Sequence, residues 1–199
     1  MSERLDVRAL RKPDKHPRVF ERFDALDVGK WFVLVNDHDP RHLREEFERD
    51  HPGEFGWDYL QRGPERWEIR IAKLASTALP RVMCDTAEIA SGQLAPDASG
   101  AVWKLQMSRR HLDANIIHLQ PGSRIEAHAG PEFDVLLHIL HGDGQLMTEV
   151  GTLALRPGRL LWLPRLSRRE IGAGEVGLTY LTVHPRRPGM TIQPAPQRT

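Results

Sequence analysis

A single cysteine, Cys84, in 199 residues excludes an intrachain disulfide and suits a reducing compartment. Long apolar runs are also missing. Nothing approaches the ~20 consecutive apolar residues of a membrane span, and the opening MSERLDVRALRKPDKH holds no apolar stretch of signal-peptide length. These absences predict a soluble cytoplasmic protein that engages no membrane. Charge of one sign is lacking too. With 28 basic and 27 acidic side chains the net charge is +1, without the broad basic field that nucleic-acid binding needs. The chain shows no phosphate loop, dinucleotide fingerprint, Ser-His-Asp order or internal repeat.

What is present is enough apolar material for one large domain or two small ones: 40% of residues are hydrophobic. The texture changes along the chain. In residues 1–73, LDVRAL alternates as a strand, and HPRVFERFDALDVG carries Val19, Phe20, Phe23 and Leu26 on one helical face, with Gly29 to end it. KWFVLV is a short apolar strand. Asp39 is suited to cap the helix RHLREEFERD, with Pro40 as its first residue. FGWDYLQRG and PERWEIRIAK read as two strands about a Gly63-Pro64 turn. The order β-α-β-α-β-β predicts a two-layer α/β sandwich.

Residues 74–100 are rich in Ala, Ser, Pro and Gly and read as a linker with one short element. From 101 to 185 short strands alternate with turns at PGS, HGDG, GT, PG and AGEVG, the pattern of an all-β sandwich or barrel. Residues 186–199 form a proline-rich tail expected to be extended. The whole is expected to be an α+β chain of two domains.

In the second half, Gly122 and His128 have the spacing of the first motif of the cupin superfamily, and Gly142 closes it. Gly151, Pro157, Gly158 and Pro164 fit the second motif. This half resembles the cupins, which implies a jelly-roll barrel and frequent dimerisation. The Leu136, His138 and Leu140 face, if outward, is apolar enough to pack on the first domain or on a second copy. The usual metal ligands are largely replaced. Gly130 stands at the second His, Val135 at the Glu, and Arg168 near the last His, leaving His128. The first half, through LDVRAL, FERFDAL, LVNDHDPRHL and WEIRI, resembles the sulfur-carrier-like TusA/SirA fold group. More closely it resembles an uncharacterised branch of that group, domain-of-unknown-function family 2249. That resemblance implies an association with bacterial redox or nitrogen-oxide metabolism. The carriers act through a Cys-Pro-x-Pro motif, and ALRKPDKHP has no cysteine there. A persulfide carrier needs a thiol, so sulfur relay would fall to Cys84 in the linker.

Three groups of residues are candidates for chemistry. His128, with Glu132 or Asp134 and one of His138, His141 or His184, could hold Fe, Mn, Ni or Zn. An arginine at the remaining ligand position opposes a cation there, and the plainer reading of His128 is a hydrogen-bonded barrel residue. Alternatively, Arg168 could point into the barrel beside His128, hold a carboxylate or phosphate through its planar fork, and have Trp162 as a wall. Around it lie Arg165, Arg169, Arg186 and Arg187. Arg168 paired with Asp134 at the surface is the plainer reading. The alternation of Arg168 and Glu170 against Arg169 and Ile171 leaves the inward face open. The third group is His16, Asp37, His38 and Asp39, a possible metal or binding site where a strand meets a helix, or else a capped turn.

The favoured expectation is a binding or regulatory protein, non-catalytic or weakly catalytic. It would take a small anion through His128, Arg168, Trp162 and Asp134 in a metal-depleted cupin, with no cofactor and a possible homodimer. The alternative is a metal-dependent oxygenase or isomerase using His128, Glu132, Asp134 and His184.

Overall fold

The computed structural model describes residues 3–91 and 98–186. They are mostly β-structure with few helices. The chain falls into two compact units, Met1–Met83 and Cys84–Thr199. No helix among the described residues is long and apolar enough to cross a membrane. Most of the expected tail, with Arg187, lies outside the described residues, as do residues 92–97 of the expected linker.

The first unit contains β1 (Glu3–Asp6), α1 (Lys12–Asp24), β2 (Trp31–Asn36), α2 (Arg41–Asp50), β3 (Phe55–Gln61) and β4 (Trp67–Lys73). Its sheet runs β1-β2-β4-β3, with β1 parallel to β2 and the other neighbours antiparallel. Helix α1 is the crossover that a parallel pair requires. Val19 and Phe23 of α1, and Leu43 and Phe47 of α2, are each four residues apart and so share a helix face. They pack with Phe32 and Leu34 of β2 and Ile69 and Ile71 of β4 in one core. Because alternate strand residues share a face, both helices cover the same side of the sheet.

Local details depart from the sequence reading. Helix α1 starts before His16, with a proline in its first turn and Pro17 inside it. A proline in the first turn forfeits no intrahelical bond. Asp39 does not cap α2. Pro40 holds the cap position without a side-chain bond, because the Asp39 carboxylate accepts from Tyr59 Oη at 2.9 Å and from Arg41 Nε at 2.9 Å.

The second unit opens with α3 (Thr86–Ser91), capped by Asp85 Oδ1, which accepts from the backbone N–H of Ala87 at 2.8 Å. Seven strands follow: β5 (Gly100–Lys104), β6 (Leu112–Leu119), β7 (Arg124–Ala129), β8 (Val135–Thr148), β9 (Thr152–Leu155), β10 (Leu160–Leu163) and β11 (Arg168–Pro185). The sheet runs β10-β8-β11-β6-β5, with β7 added to β11 and β9 to β8. No pairing among the described residues closes this path, so the expected closed barrel is instead an open seven-stranded sheet. It still wraps one core. Leu146, Leu155 and Ile171 join Leu137, Ile139 and Tyr180 in a single apolar cluster.

Two expected turns are strand. HGDG lies inside β8 and AGEVG inside β11. The ladder between these strands shifts register between Ala173 and Leu178, where Gly142 pairs with Leu178. Gly142 and Gly177 both have positive φ, 78° and 80°. A side chain on Gly142 would run into the Gly177 carbonyl oxygen. The glycines therefore serve a bulge at a close backbone approach, where their composition predicts turns.

The bulge makes a stability prediction. Gly142→Ala should lower unfolding free energy by about 2–4 kcal/mol. Gly151→Ala, at a position with open space and no positive φ, should stay within about 0.5 kcal/mol of the parent. Urea midpoints compare the two; equal midpoints would remove the bulge constraint.

Candidate functional site

Strand parity sets the inner face of the second unit. Val135, Leu137 and Ile139 are buried while Leu136 is exposed, so odd positions of the first part of β8 face the core. On β11, Arg169 and Ile171 are buried and Arg168 is exposed. Arg169, and not Arg168, faces inward. Arg169 pairs in register with His128 of β7. Both line a cavity of about 550 Å³ with Asn115, Tyr180, Thr182 and His184, walled by apolar side chains from β6, β7, β8, β10 and β11.

Arg169 is 7% exposed and has no carboxylate within ion-pair distance among the described residues. Its Nη1 donates to Ser167 Oγ at 2.9 Å and to the Pro164 carbonyl oxygen at 3.4 Å. Nε and Nη2 have no hydrogen-bond partner among the described residues. The turn that supplies these acceptors holds Leu166 at φ 60°, a conformation costing a non-glycine residue about 1–2 kcal/mol. Ser167 O in turn accepts from Gly130 N at 3.0 Å. Gly130 makes the room: a β-carbon there would lie 2.7 Å from Arg169 Cζ and 2.8 Å from Nη2. The guanidinium thus lies where a side chain at position 130 would project.

Burial pulls the Arg169 guanidinium below its ordinary pKa, opposed by Tyr180. Tyr180, 2% exposed, has its phenol pushed up to about 12 by burial, with Arg169 acting in the other direction. The two groups therefore feel each other across the core. A straight strand rising ~3.3 Å per residue would carry them far apart, so β11 must bend at its bulge. At the rim, His128 is exposed and its Nδ1 donates to the Glu126 carbonyl oxygen at 2.8 Å, so Nε2 is an acceptor in the neutral ring and a donor in the imidazolium. His184 stacks on Phe133 at 4.8 Å between ring centroids.

The other residues named from the sequence lie elsewhere. Trp162 is 64% exposed, opposite Leu136 in the ladder and outside the cavity. Trp162 and Arg168 do meet, in a second cavity of about 230 Å³ that Arg169 and Leu163 also line and His128 does not. Asp134 is exposed, and its Oδ1 accepts from Arg165 N at 2.9 Å, so it neither pairs with Arg168 nor enters the cavity. Glu132 is exposed and also outside the cavity lining. The residues that sequence reasoning missed are Tyr180, Asn115 and Thr182. For Arg169 the available signal was its two-residue spacing from the apolar Ile171.

In the first unit, His16, His38 and Asp39 line a cavity of about 360 Å³ with Lys12, Lys15 and Arg41. Their acids are already engaged. His38 Nδ1 meets Asp37 Oδ1 at 2.6 Å, and Lys15 Nζ lies 3.3 Å from the same oxygen. The hydrogen bond with His38, then Lys15, holds the Asp37 carboxyl below the usual range. Burial works against ionised Asp39, but Arg41 and Tyr59 outweigh it and lower its pKa. His16 Nδ1 pairs instead with Glu46 at 3.0 Å. Among the described residues no three His, Cys, Asp or Glu side chains gather to hold a metal ion. Cys84 is a free, half-buried thiol.

Residues 4–73 match the model of a family described as an uncharacterized conserved protein, DUF2249. No curated protein matches the chain. Among solved structures, a cupin protein from Bacteroides fragilis is 18% identical with a TM-score of 0.40, covering 53% of this chain and 91% of its own. The polyketide cyclase RemF from Streptomyces resistomycificus is 20% identical with a TM-score of 0.39, covering 46% and 72%. A cupin-2 domain containing protein from Shewanella frigidimarina is 12% identical with a TM-score of 0.36, covering 45% and 80%. Likeness at this level assigns neither an activity nor a ligand.

Tyr180 gives a pH prediction. In the unfolded chain its phenol ionises near 10; in the folded protein it stays protonated until about 12. The unfolded state releases its proton first as pH rises, so stability is intact below pH ~10 and falls between ~10 and ~12, by an amount on the order of 2 kcal/mol. Denaturation of the parent and of Tyr180→Phe at a series of pH values measures it. An equal fall in both would clear Tyr180 of the effect.

Proposed function

We propose that the second unit is a metal-depleted cupin that binds a small anionic molecule between Arg169 and His128, and that it serves as a binding or regulatory module. The observation that carries this reading is the buried Arg169, which lines the cavity and, among the described residues, has no carboxylate partner and no hydrogen-bond partner for Nε and Nη2. A charge removed from water is strongly disfavoured unless something neutralises it. A bound anion would do so, through the charge-assisted bonds that a planar guanidinium makes best. Arg168 and Trp162 leave the proposed site, and Arg169 takes the place assigned to Arg168.

The metal-dependent alternative finds less support. A catalytic metal needs three or so converging ligands with an open position. Here His128 has no acid beside it in the cavity lining, and a fixed cation packs against Gly130. No reaction step is routed through a metal.

A thermal-shift screen of organic acids and inorganic anions tests the reading, run on the parent, Arg169→Met and Arg168→Met. An anion should raise Tm by several degrees in the parent and in Arg168→Met, and leave Arg169→Met unmoved. Elemental analysis belongs beside it. One metal ion per chain, lost in His128→Ala, would overturn the proposal, as would anion shifts that survive in Arg169→Met.

A further inference from the structure

We infer that the ligand of the Arg169 cavity is an apolar monocarboxylate, an aromatic or branched aliphatic acid, with its carboxylate toward Arg169 and its body among Ile117, Ile125 and Leu137. This rests on the anion-binding reading and narrows it to one chemical class.

Charge decides the number of acidic groups. Among the described residues no Asp or Glu lines the cavity, and Arg169 is its one permanently charged residue. A monoanion leaves the lining neutral. A dianion would bring one uncompensated negative charge into an apolar setting, which is strongly disfavoured. Phosphate sites in proteins draw on several cations or on helix N-termini. Here each lining residue among the described ones lies on a strand or in a strand-connecting segment, with His128 and His184 as the other basic side chains.

The lining decides the body. Ile117, Ile125, Val135, Leu137, Leu163 and Ile171 form a broad apolar wall, which gains from an apolar group and nothing from a second charge. Three neutral polar side chains remain, those of Asn115, Thr182 and Tyr180. Asn115 and Thr182 are direct neighbours in the β6–β11 ladder. They can take a hydroxyl or carbonyl on the ligand, and they cannot neutralise a second carboxylate. The Tyr180 hydroxyl, in the same lining and without a partner among the described residues, supplies a further donor to the carboxylate end. About 550 Å³ of space lies within the range of small-molecule pockets.

Isothermal titration of the full chain tests the class with phenylacetate, isovalerate, phenylacetamide, succinate and inorganic phosphate. Phenylacetate or isovalerate should bind, with phenylacetamide, succinate and phosphate at least tenfold weaker. Tyr180→Phe should weaken the monocarboxylate several-fold, and Arg168→Met should not change it. Succinate or phosphate binding as tightly as the monocarboxylates would overturn the class and leave the anion reading standing. Phenylacetamide matching phenylacetate, or no anion binding at all, would overturn both. If Arg169→Met fails to fold, the acid–amide comparison and Tyr180→Phe decide without it.

Discussion

A guanidinium that is held away from water and given no carboxylate constrains everything around it in the second unit. Taking an ion of this size out of water carries an effective penalty of several kcal/mol even after relaxation. The fold offsets part of it with oxygen atoms. Pro164 O and Ser167 Oγ both face Nη1, and the turn accepts Leu166 at positive φ to present them. Ser167 then binds Gly130 through its carbonyl, and Gly130, lacking a side chain, leaves the volume the guanidinium occupies. Turn, glycine and arginine are one device, and changing any member exposes the others to strain or to an unsatisfied charge.

The second constraint is backbone crowding where β8 and β11 cross their bulge. Gly142 faces the Gly177 carbonyl so closely that only glycine fits, and both residues use a φ that other residues avoid. A bulge increases local twist and bends its strand. That bend lets one strand contribute Arg169 from one end and Tyr180 from the other to a shared cavity. Without it the sheet would present these groups in a row, and the phenol would not feel the guanidinium.

These two devices explain which parts of the structure were legible in the sequence. The first unit's order of elements follows from apolar periodicity: Phe32 and Leu34 alternate as a strand, and Leu43 and Phe47 repeat as a helix. The cap failed because Asp39 has a partner distant in sequence, Tyr59, which no local pattern reveals. In the second unit, HGDG and AGEVG have the composition of turns, yet tertiary packing uses their glycines for a close approach within continuous strands. A bulge of that kind breaks parity, so the inward face of Arg168–Ile171 could not be carried over from Tyr180. Trp162 misled for a related reason. Its size suggests a wall, but β10 turns Leu161 and Leu163 inward and leaves Trp162 outside.

The Gly130–Arg169 pair bears on which kind of ion the cavity could accept. A divalent ion needs neutral or anionic donors converging on a vacant point, whereas a guanidinium brings its own positive charge and fills that point with covalent structure. The two cannot coexist within a few ångströms, because the repulsion of like charges at an effective dielectric of about 20 is already about 4 kcal/mol at 4 Å for unit charges, and more for a divalent ion. A cavity built around Arg169 therefore opposes a divalent ion and favours a negative group. What it offers is geometry: a planar donor fork held by a turn with Leu166 at positive φ and packed against a glycine, a shape that matches the two oxygens of a carboxylate.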